Sequence, residues 1–495
     1  AEHDGNKIKP KNKDEVDHII SSLKNGNWQI IAISRKAQER KPPPPFITST
    51  LQQEASRKLY FKVTRTMRTA QQLYEGVNLG EEGSVGLITY MRTDSTRVSD
   101  DAKKEAQKFI REKYGKEFVT EGRKGKKRPG AQEAHEAIRP TSVYLEPDKI
   151  KKYLARDQYR LYKLIWERFI ASYMPPLVLD VTTVDIDCNN YLFKAQGSKV
   201  KYPGFTILYK EKTNNNNGKE DGTEAQLPPL EEGELLDLLE LIPEQLFTQP
   251  PPRYTEATLI RTLEEKGIGR PSTYAPIVDT IQKREYVEIK EKRFHPTKLG
   301  FIVTELLENH FPDIVDVKFT AKMEDQLDGI EDGKADWAGV VSDFYYPFAK
   351  NLSRAEDEIK KIKIEPEVSE QVCPKCGRNL VVRKSRFGKF LACPGFPDCK
   401  YTMPFQEETG IHCPNENCDG IVILKYSRKG KKFYGCSRYP DCDFVSWYEP
   451  VEKRCEECNS FMVKKYRRDG SEYITCSNIH CPSRKRKTSK SGKKK

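Results

Sequence analysis

Apolar and polar positions change register several times along the chain. Residues 28–37 (WQIIAISRKA) follow the period-two pattern of a strand, and four prolines at 42–45 end it, because proline has no amide to offer a ladder. FITSTLQQEASRKLYF has helical spacing, with Thr48, Ser49 or Thr50 expected as its cap, and TMRTAQQLYEGVNLG continues the helical pattern to a glycine stop. GLITY reads as a short strand that gives way to polar MRTDSTRV, so Tyr90 is expected at a strand-to-loop edge, and Ser99, Asp100 and Asp101 then open a helix. Helical spacing persists to about residue 173, where PPLVLDVTTVDID turns β-branched and a strand-rich stretch runs to about residue 209. Residues 211–226 (EKTNNNNGKEDGTEAQ) hold almost nothing apolar and are expected to be a solvated loop. Beyond Pro250–Pro252, two helices around a GIGR turn and a strand-like VEIKEKRF have the outline of a winged helix-turn-helix.

From Cys373 the pattern breaks into a repeat of about 40 residues. Its cysteines fall in three sets: Cys373, Cys376, Cys393 and Cys399; Cys413, Cys418, Cys436 and Cys442; Cys455, Cys458, Cys476 and Cys481. Each set is two close pairs around a hairpin-length insert, the spacing that brings four thiolates to the corners of a tetrahedron around structural zinc. A disulfide framework is the alternative, and the CPKC and CEEC knuckles, without a secretory signal, favour metal. His412 and His480 are then bystanders, and Cys188 is an inert thiol outside the sets.

Charge changes the picture next. The 495 residues carry a formal net charge of +13, and from Ser483 the tail holds eight basic residues and no acid, which suits a polyanionic partner and predicts a disordered terminus. Each phosphate such a tail neutralises should steepen the salt dependence of single-strand binding by about 0.7 log units per log unit of salt. Between the cysteine pairs, Phe390, Phe433 and Tyr473 each stand three residues before the third cysteine, on hairpins dense in Lys and Arg. Aromatic faces among cations can stack unpaired bases of DNA or RNA, and the same side chains could equally pack a small core. No apolar run approaches the roughly 20 residues of a membrane span.

The segment GLITYMRTDSTRV has neither metal-ligand spacing nor a phosphate-cradling glycine loop, but it sets a phenol beside the guanidinium of Arg92. A phenol is a poor nucleophile at neutral pH, and a phosphodiester neutralised by Arg92 would be easier to attack. Spacing alone leaves a packed or surface tyrosine as the better reading.

Together, PFITSTLQQEASRKL, AQQLYEG, ITYMRTDST, AHEAIRPTSV, EATLIRTLEEKGIGRPSTYAPIV, FTAKMEDQLDGIEDGKADW and the four-cysteine repeats resemble, in that order, bacterial DNA topoisomerase I of the type IA class. The resemblance implies a multidomain α+β fold, a toroidal core followed by three zinc ribbons. The expected parts are the first part of a β-rich arch (1–44), a helical domain carrying the tyrosine (45–175), the second part of the arch (176–250), a winged-helix-like DNA-binding domain (251–365), ribbons at 371–404, 411–448 and 453–482, and a basic tail (483–495). It implies that Tyr90 forms a 5′-phosphotyrosine while Arg92 holds the scissile phosphate and His135 supports the site. Glu136 and Arg139 would order the His135 segment. Arg139, Ser49, Gln52, Arg270, Ser272 and Arg284 would contact DNA, with Ser272 capping the helix after the GIGR turn; for Arg270 and Arg284 a merely solvated charge is the alternative.

The expected activity is ATP-independent relaxation of negatively supercoiled DNA through its single-stranded regions, in a monomer of the cytoplasm associated with the nucleoid; no Walker-type loop occurs. The family also has an N-terminal Toprim domain whose DxDxE acids bind Mg2+. The only near match here, Asp185-Ile186-Asp187-Cys188-Asn189, follows the tyrosine and reads as a strand edge. A chain that starts partway through the core, short of full turnover without the Toprim domain, is therefore expected. The alternative is a non-enzymatic single-strand binder derived from the family.

Overall fold

The computed structural model describes residues 2–3, 6–8, 10–122, 135–210, 227–360, 366–385, 388–405, 407–415, 418–427, 432–466 and 472–485. The expected loop at 211–226 and residues 486–495 of the basic tail lie outside them. The chain divides into two compact units, residues 1–360 and 361–495.

The first unit begins with β1 (Glu2–His3), β2 (Asn6–Lys7), α1 (Lys13–Lys24) and β3 (Trp28–Arg40). Next come α2 (Thr48–Glu54), α3 (Val63–Glu75), β4 (Val77–Asn78), β5 (Ser84–Val85), α4 (Asp100–Tyr114), α5 (Pro147–Ile150) and α6 (Arg156–Ala171). The chain then returns to strands, β6 (Leu177–Cys188), β7 (Tyr191–Tyr202) and β8 (Leu235–Leu236). One antiparallel sheet takes its strands from both sides of the helical segment, in the order β2-β1-β7-β6-β3-β8. β6 therefore has both edges paired, Asp185 lying opposite Ala32 on one side and Lys194 on the other. That corrects the reading of Asp185 and Asp187 as a strand edge.

The helices enclose a single apolar cluster from Phe46 to Tyr209. α3 joins it through Ala70 and Leu73. α4 starts as expected: the Ser99 hydroxyl accepts from the Ala102 amide, and Asp100 and Asp101 sit where the helix dipole favours acids. α2 differs from expectation. Its cap is Ile47, whose amide donates to Thr50 Oγ1, because Thr48 is already helical and its hydroxyl is used elsewhere. At the edge of the cluster Arg168, 5% exposed, donates to Pro44 O and to the Tyr209 hydroxyl, which donates to Glu54 at 2.8 Å. Burial pushes the Glu54 carboxyl up, but Lys58, the Tyr209 hydroxyl and Arg168 together hold it below its usual range.

α7 (Glu256–Glu265), α8 (Tyr274–Lys283) and a hairpin of β9 (Val287–Lys290) and β10 (Arg293–Pro296) follow. Their small core of Ile260, Tyr274, Val278 and Phe294 also takes in Val63 from the start of α3. α9 (Lys298–His310), α10 (Pro312–Val315), α11 (Val317–Glu331) and α12 (Trp337–Glu358) complete the unit.

The second unit is three small antiparallel sheets: β11 (Val368–Val372) to β14 (Thr402–Pro404), β15 (Glu407–His412) to β18 (Val445–Ser446), and β19 (Glu449–Arg454) to β21 (Glu472–Cys476). The central hairpins are β12 (Asn379–Ser385) with β13 (Gly388–Ala392), β16 (Ile421–Tyr426) with β17 (Lys432–Cys436), and β20 (Phe461–Tyr466) with β21. Phe461 of the third sheet packs edge-on against Phe444 of the second, centroids 5.1 Å apart, and joins its apolar cluster.

Candidate active site, zinc centres and nucleic-acid interface

Three chain segments clamp the residues around Tyr90. Leu87, Ile88 and Met91 are at most 1% exposed and anchor the stretch in the core, each such burial contributing about 1.5–3 kcal/mol. On one side Thr89 donates its amide to Arg139 O at 3.0 Å and its hydroxyl to Ala137 O at 2.7 Å, and Ile88 bridges Pro140. On the other, the Thr48 hydroxyl donates to Met91 O at 2.7 Å and accepts from the Thr93 amide at 2.9 Å. The expected GLITY strand is thus a single bridge, because the Arg139 amide that would extend the ladder donates to the Thr89 hydroxyl at 3.0 Å instead of to Thr89 O. The third clamp is the end of α3. Leu87 donates its amide to Leu73 O at 2.7 Å, and a Cβ on Gly86 would lie 2.8 Å from Tyr74 O, so glycine is required for this approach.

Tyr90 is left half-buried between two rings. The His135 centroid lies 5.1 Å from its own, with the planes tilted by 42°, and Tyr74 meets it edge-on at 5.4 Å. Arg92 is exposed and engages no described residue. Arg139 is turned inward: Nε and Nη2 donate to Glu136 at 2.8 and 2.6 Å, and Nη1 donates to Pro140 O. That pair orders the segment bearing His135.

The other expected DNA contacts are less exposed. Ser49, 2% exposed, donates its hydroxyl to Glu264 of α7 at 2.7 Å, and Gln52 is fully buried with both amide atoms lacking a partner among the described residues. Contact of either with DNA requires α2 and α7 to separate. Arg270 donates to Asp328 at 2.7 and 3.3 Å, with Glu324 and Asp325 close by. A phosphate would have to compete with those carboxylates. Ser272 does not cap α8, correcting that expectation; the helix begins after Thr273, whose Oγ1 accepts from the Arg270 amide and folds the GIGR turn on itself. Arg284 is exposed at the far end of α8.

In each ribbon the four Sγ atoms lie within 4.8 Å of one another. Opposed pairs stand at 3.3 Å (Cys376–Cys393) to 3.7 Å (Cys373–Cys399) in the first ribbon, 3.5 and 3.6 Å in the second, and 3.4 and 3.6 Å in the third. Zinc–sulfur bonds of about 2.3 Å put tetrahedral sulfurs about 3.8 Å apart, so zinc fits all three sets. Backbone amides support the thiolates. Burial raises Cys373, but the amides of Lys375 and Cys376 outweigh it and bring its thiol down to about 7. Those three sets are the only groups able to hold a metal among the described residues. Asp185 faces Lys194 at 3.8 Å from an inner strand, so it does not fit a magnesium site. Cys188 is buried against Leu23 and Tyr191, and burial pushes its thiol up, as an inert thiol requires.

Phe390, Phe433 and Tyr473 are half-buried, and each lies directly across its hairpin from a cation: Arg383, Lys425 and Lys465. Larger aromatic faces were missed. Phe396 is 70% exposed and Tyr439 67%, in FPDC and YPDC between the third and fourth ligands, where the third ribbon has Ile479. The repeated aromatic-Pro-Asp-Cys was the signal that could have found them. Nothing in the sequence marked Tyr74, since an aromatic at helical spacing reads as core.

The sequence profile of the DNA topoisomerase family matches residues 2–342, and that of the topoisomerase DNA-binding C4 zinc finger matches residues 370–408, 410–451 and 452–489. Among solved structures the chain is similar to full-length topoisomerase I from Thermotoga maritima, with 34% identity and a TM-score of 0.61, over 86% of this chain and 65% of that one. The chain thus spans just under two thirds of that relative's length.

Proposed function

The chain belongs to the bacterial type IA DNA topoisomerase family, and from that premise we propose that it carries the strand-cutting and strand-holding parts of an ATP-independent enzyme that relaxes negatively supercoiled DNA. The phenol oxygen of Tyr90 attacks a backbone phosphorus, the bond from phosphorus to the 3′ oxygen breaks, and that oxygen leaves as a 3′-hydroxyl. The phosphodiester bond energy stays in the tyrosine ester, so resealing is the reverse attack and no nucleotide is consumed. Arg92 offsets the charge of the scissile phosphate and of the transition state. His135 orients the Tyr90 ring and can hold or pass a proton near the reacting oxygens. One observation carries this reading: a half-buried phenol, fixed by buried neighbours on both sides, has two residues away an exposed guanidinium that engages no described residue.

Zinc in the ribbons supplies folding energy and no chemistry, since four cysteines close each site to water. Exposed Phe396 and Tyr439, with the cation-backed Phe390, Phe433 and Tyr473, would stack unpaired bases of single-stranded DNA at about 1–3 kcal/mol each. Magnesium-binding acids would come from the part of the protein that corresponds to the unmatched length of the relative. This chain by itself is proposed to bind single-stranded DNA without completing relaxation.

An end-labelled single-stranded oligonucleotide, trapped by denaturation, tests the assignment. The wild-type sequence, joined to a magnesium-binding domain of the family, should yield a covalent adduct and Tyr90→Phe none. An adduct at wild-type level in Tyr90→Phe removes Tyr90 from its role. Robust magnesium-dependent plasmid relaxation by the 495-residue chain alone overturns the division of labour.

A further inference from the structure

We propose that Tyr74 is a positioning residue for Tyr90, holding the nucleophile's ring edge-on while anchored in the last turn of α3; the proposal rests on the reading of Tyr90 as nucleophile. The two rings meet at 67° with centroids 5.4 Å apart, the T-shaped geometry that aromatic quadrupoles favour. Tyr74 and His135 both touch Tyr90 but make no ring contact with each other, so they restrain the nucleophile from separate directions. With one ring alone, Tyr90 could still swing about its side-chain bonds.

The anchor of Tyr74 is firm where it needs to be. Its neighbour Leu73 is fully buried, Leu73 O accepts the Leu87 amide, and Gly86 allows Tyr74 O to come within van der Waals reach of the tyrosine segment. The backbone that carries Tyr74 and the backbone that carries Tyr90 are therefore tied together three residues before the nucleophile. The other end of α3 is fixed as well. Val63 is 1% exposed in the core formed with α8 and β10, and its amide donates to Glu256 at 2.9 Å. A helix of 13 residues is a strut of about 20 Å. Through it, Tyr74 sets the Tyr90 ring in register with the winged-helix-like part of the same unit.

Packing of the core does not explain Tyr74. Its side chain is 40% exposed, and its hydroxyl makes no hydrogen bond to a described residue. What the side chain contributes is its ring, so phenylalanine should serve and a small side chain should not.

The test uses the full chain with 3-fluorotyrosine placed at position 90, in wild-type, Tyr74→Phe and Tyr74→Ala backgrounds. Tyr74→Phe should leave the fluorine resonance in place. Tyr74→Ala should move and sharpen it toward that of a freely rotating tyrosine. In oligonucleotide cleavage at saturating DNA by the same variants joined to a magnesium-binding domain of the family, Tyr74→Ala should slow adduct formation about tenfold with affinity unchanged, and Tyr74→Phe should restore the rate. An unchanged resonance in Tyr74→Ala overturns the proposal, whether or not an adduct forms. So does a loss of affinity with the saturated rate intact, which would make Tyr74 a contact to DNA. Failure of the nucleophile reading has a different signature: an adduct that survives Tyr90→Phe while the fluorine resonance still responds to Tyr74→Ala.

Discussion

The cluster that holds Tyr90 buries thirty-five aliphatic and aromatic side chains between Phe46 and Tyr209, whereas the buried cluster of the third ribbon is Cys455, Cys476 and Cys481. Both regions are proposed to meet nucleic acid, yet their order has different origins. Around Tyr90 hydrocarbon is abundant enough to hold backbone segments that are distant in sequence, and the price is a buried ionic network at Arg168. In the ribbons too little hydrocarbon exists to fold anything, so a metal must supply what packing cannot. The difference teaches that the two regions should fail under different insults.

The largest expected effect breaks the ribbons alone. Structural zinc sites of this kind are worth about 10–16 kcal/mol each, so stripping the metal with a strong chelator should abolish amide protection across 366–485. Protection across 46–122 should persist in the same hydrogen-exchange experiment; equal losses in both would erase the distinction. Next in size is the converse. Arg168→Met takes the guanidinium from Pro44 O and from the Tyr209 hydroxyl while Arg57 and Lys58 stay on Glu54, and should destabilise the first unit by about 1–3 kcal/mol in denaturant unfolding, with zinc content unchanged. A stable Arg168→Met protein would mean that the network is incidental.

The smallest effect concerns acid. The folded carboxyl of Glu54 titrates below its usual 4.5, so its contribution is complete above that value and fades as pH falls through the lower folded value. Thermal melts of the first unit from neutral pH downward should steepen below about pH 4.5 in the wild type. Glu54→Gln should flatten that limb, and an identical acid limb in both proteins would assign the loss to other carboxylates.

The ribbons were the most legible part of the chain because a metal site is written in ligand type and spacing, which need no knowledge of the fold. The helices were nearly as plain: Ser99 marks a start that the structure keeps, while α3 stops at Gly76, four residues before the glycine that closes the expected run. The tyrosine segment was recognisable only by resemblance, since its neighbours come from residues 48, 74 and 135–140, and pairing at that distance leaves no local trace. Misreadings share this cause. Asp185 looked like an edge residue because the strand beyond it, β3, belongs to the start of the chain; likewise the acidic partners of Arg270, an expected DNA contact, lie more than fifty residues later and left no local trace. Ser272 is a local exception: a serine beside a helix start usually caps it, but α8 begins one residue later and its N-cap, Thr273, makes no side-chain cap bond.

Phe461 has one more consequence, for heredity. A repeat that lends a side chain to its neighbour's interior is no longer an interchangeable bead. Loss of the third ribbon would leave the Phe444 face of the second open, and an extra copy inserted between them would part the two rings. The last two ribbons are therefore expected to be gained, lost and shuffled by recombination as one unit, whatever the count of repeats in the array.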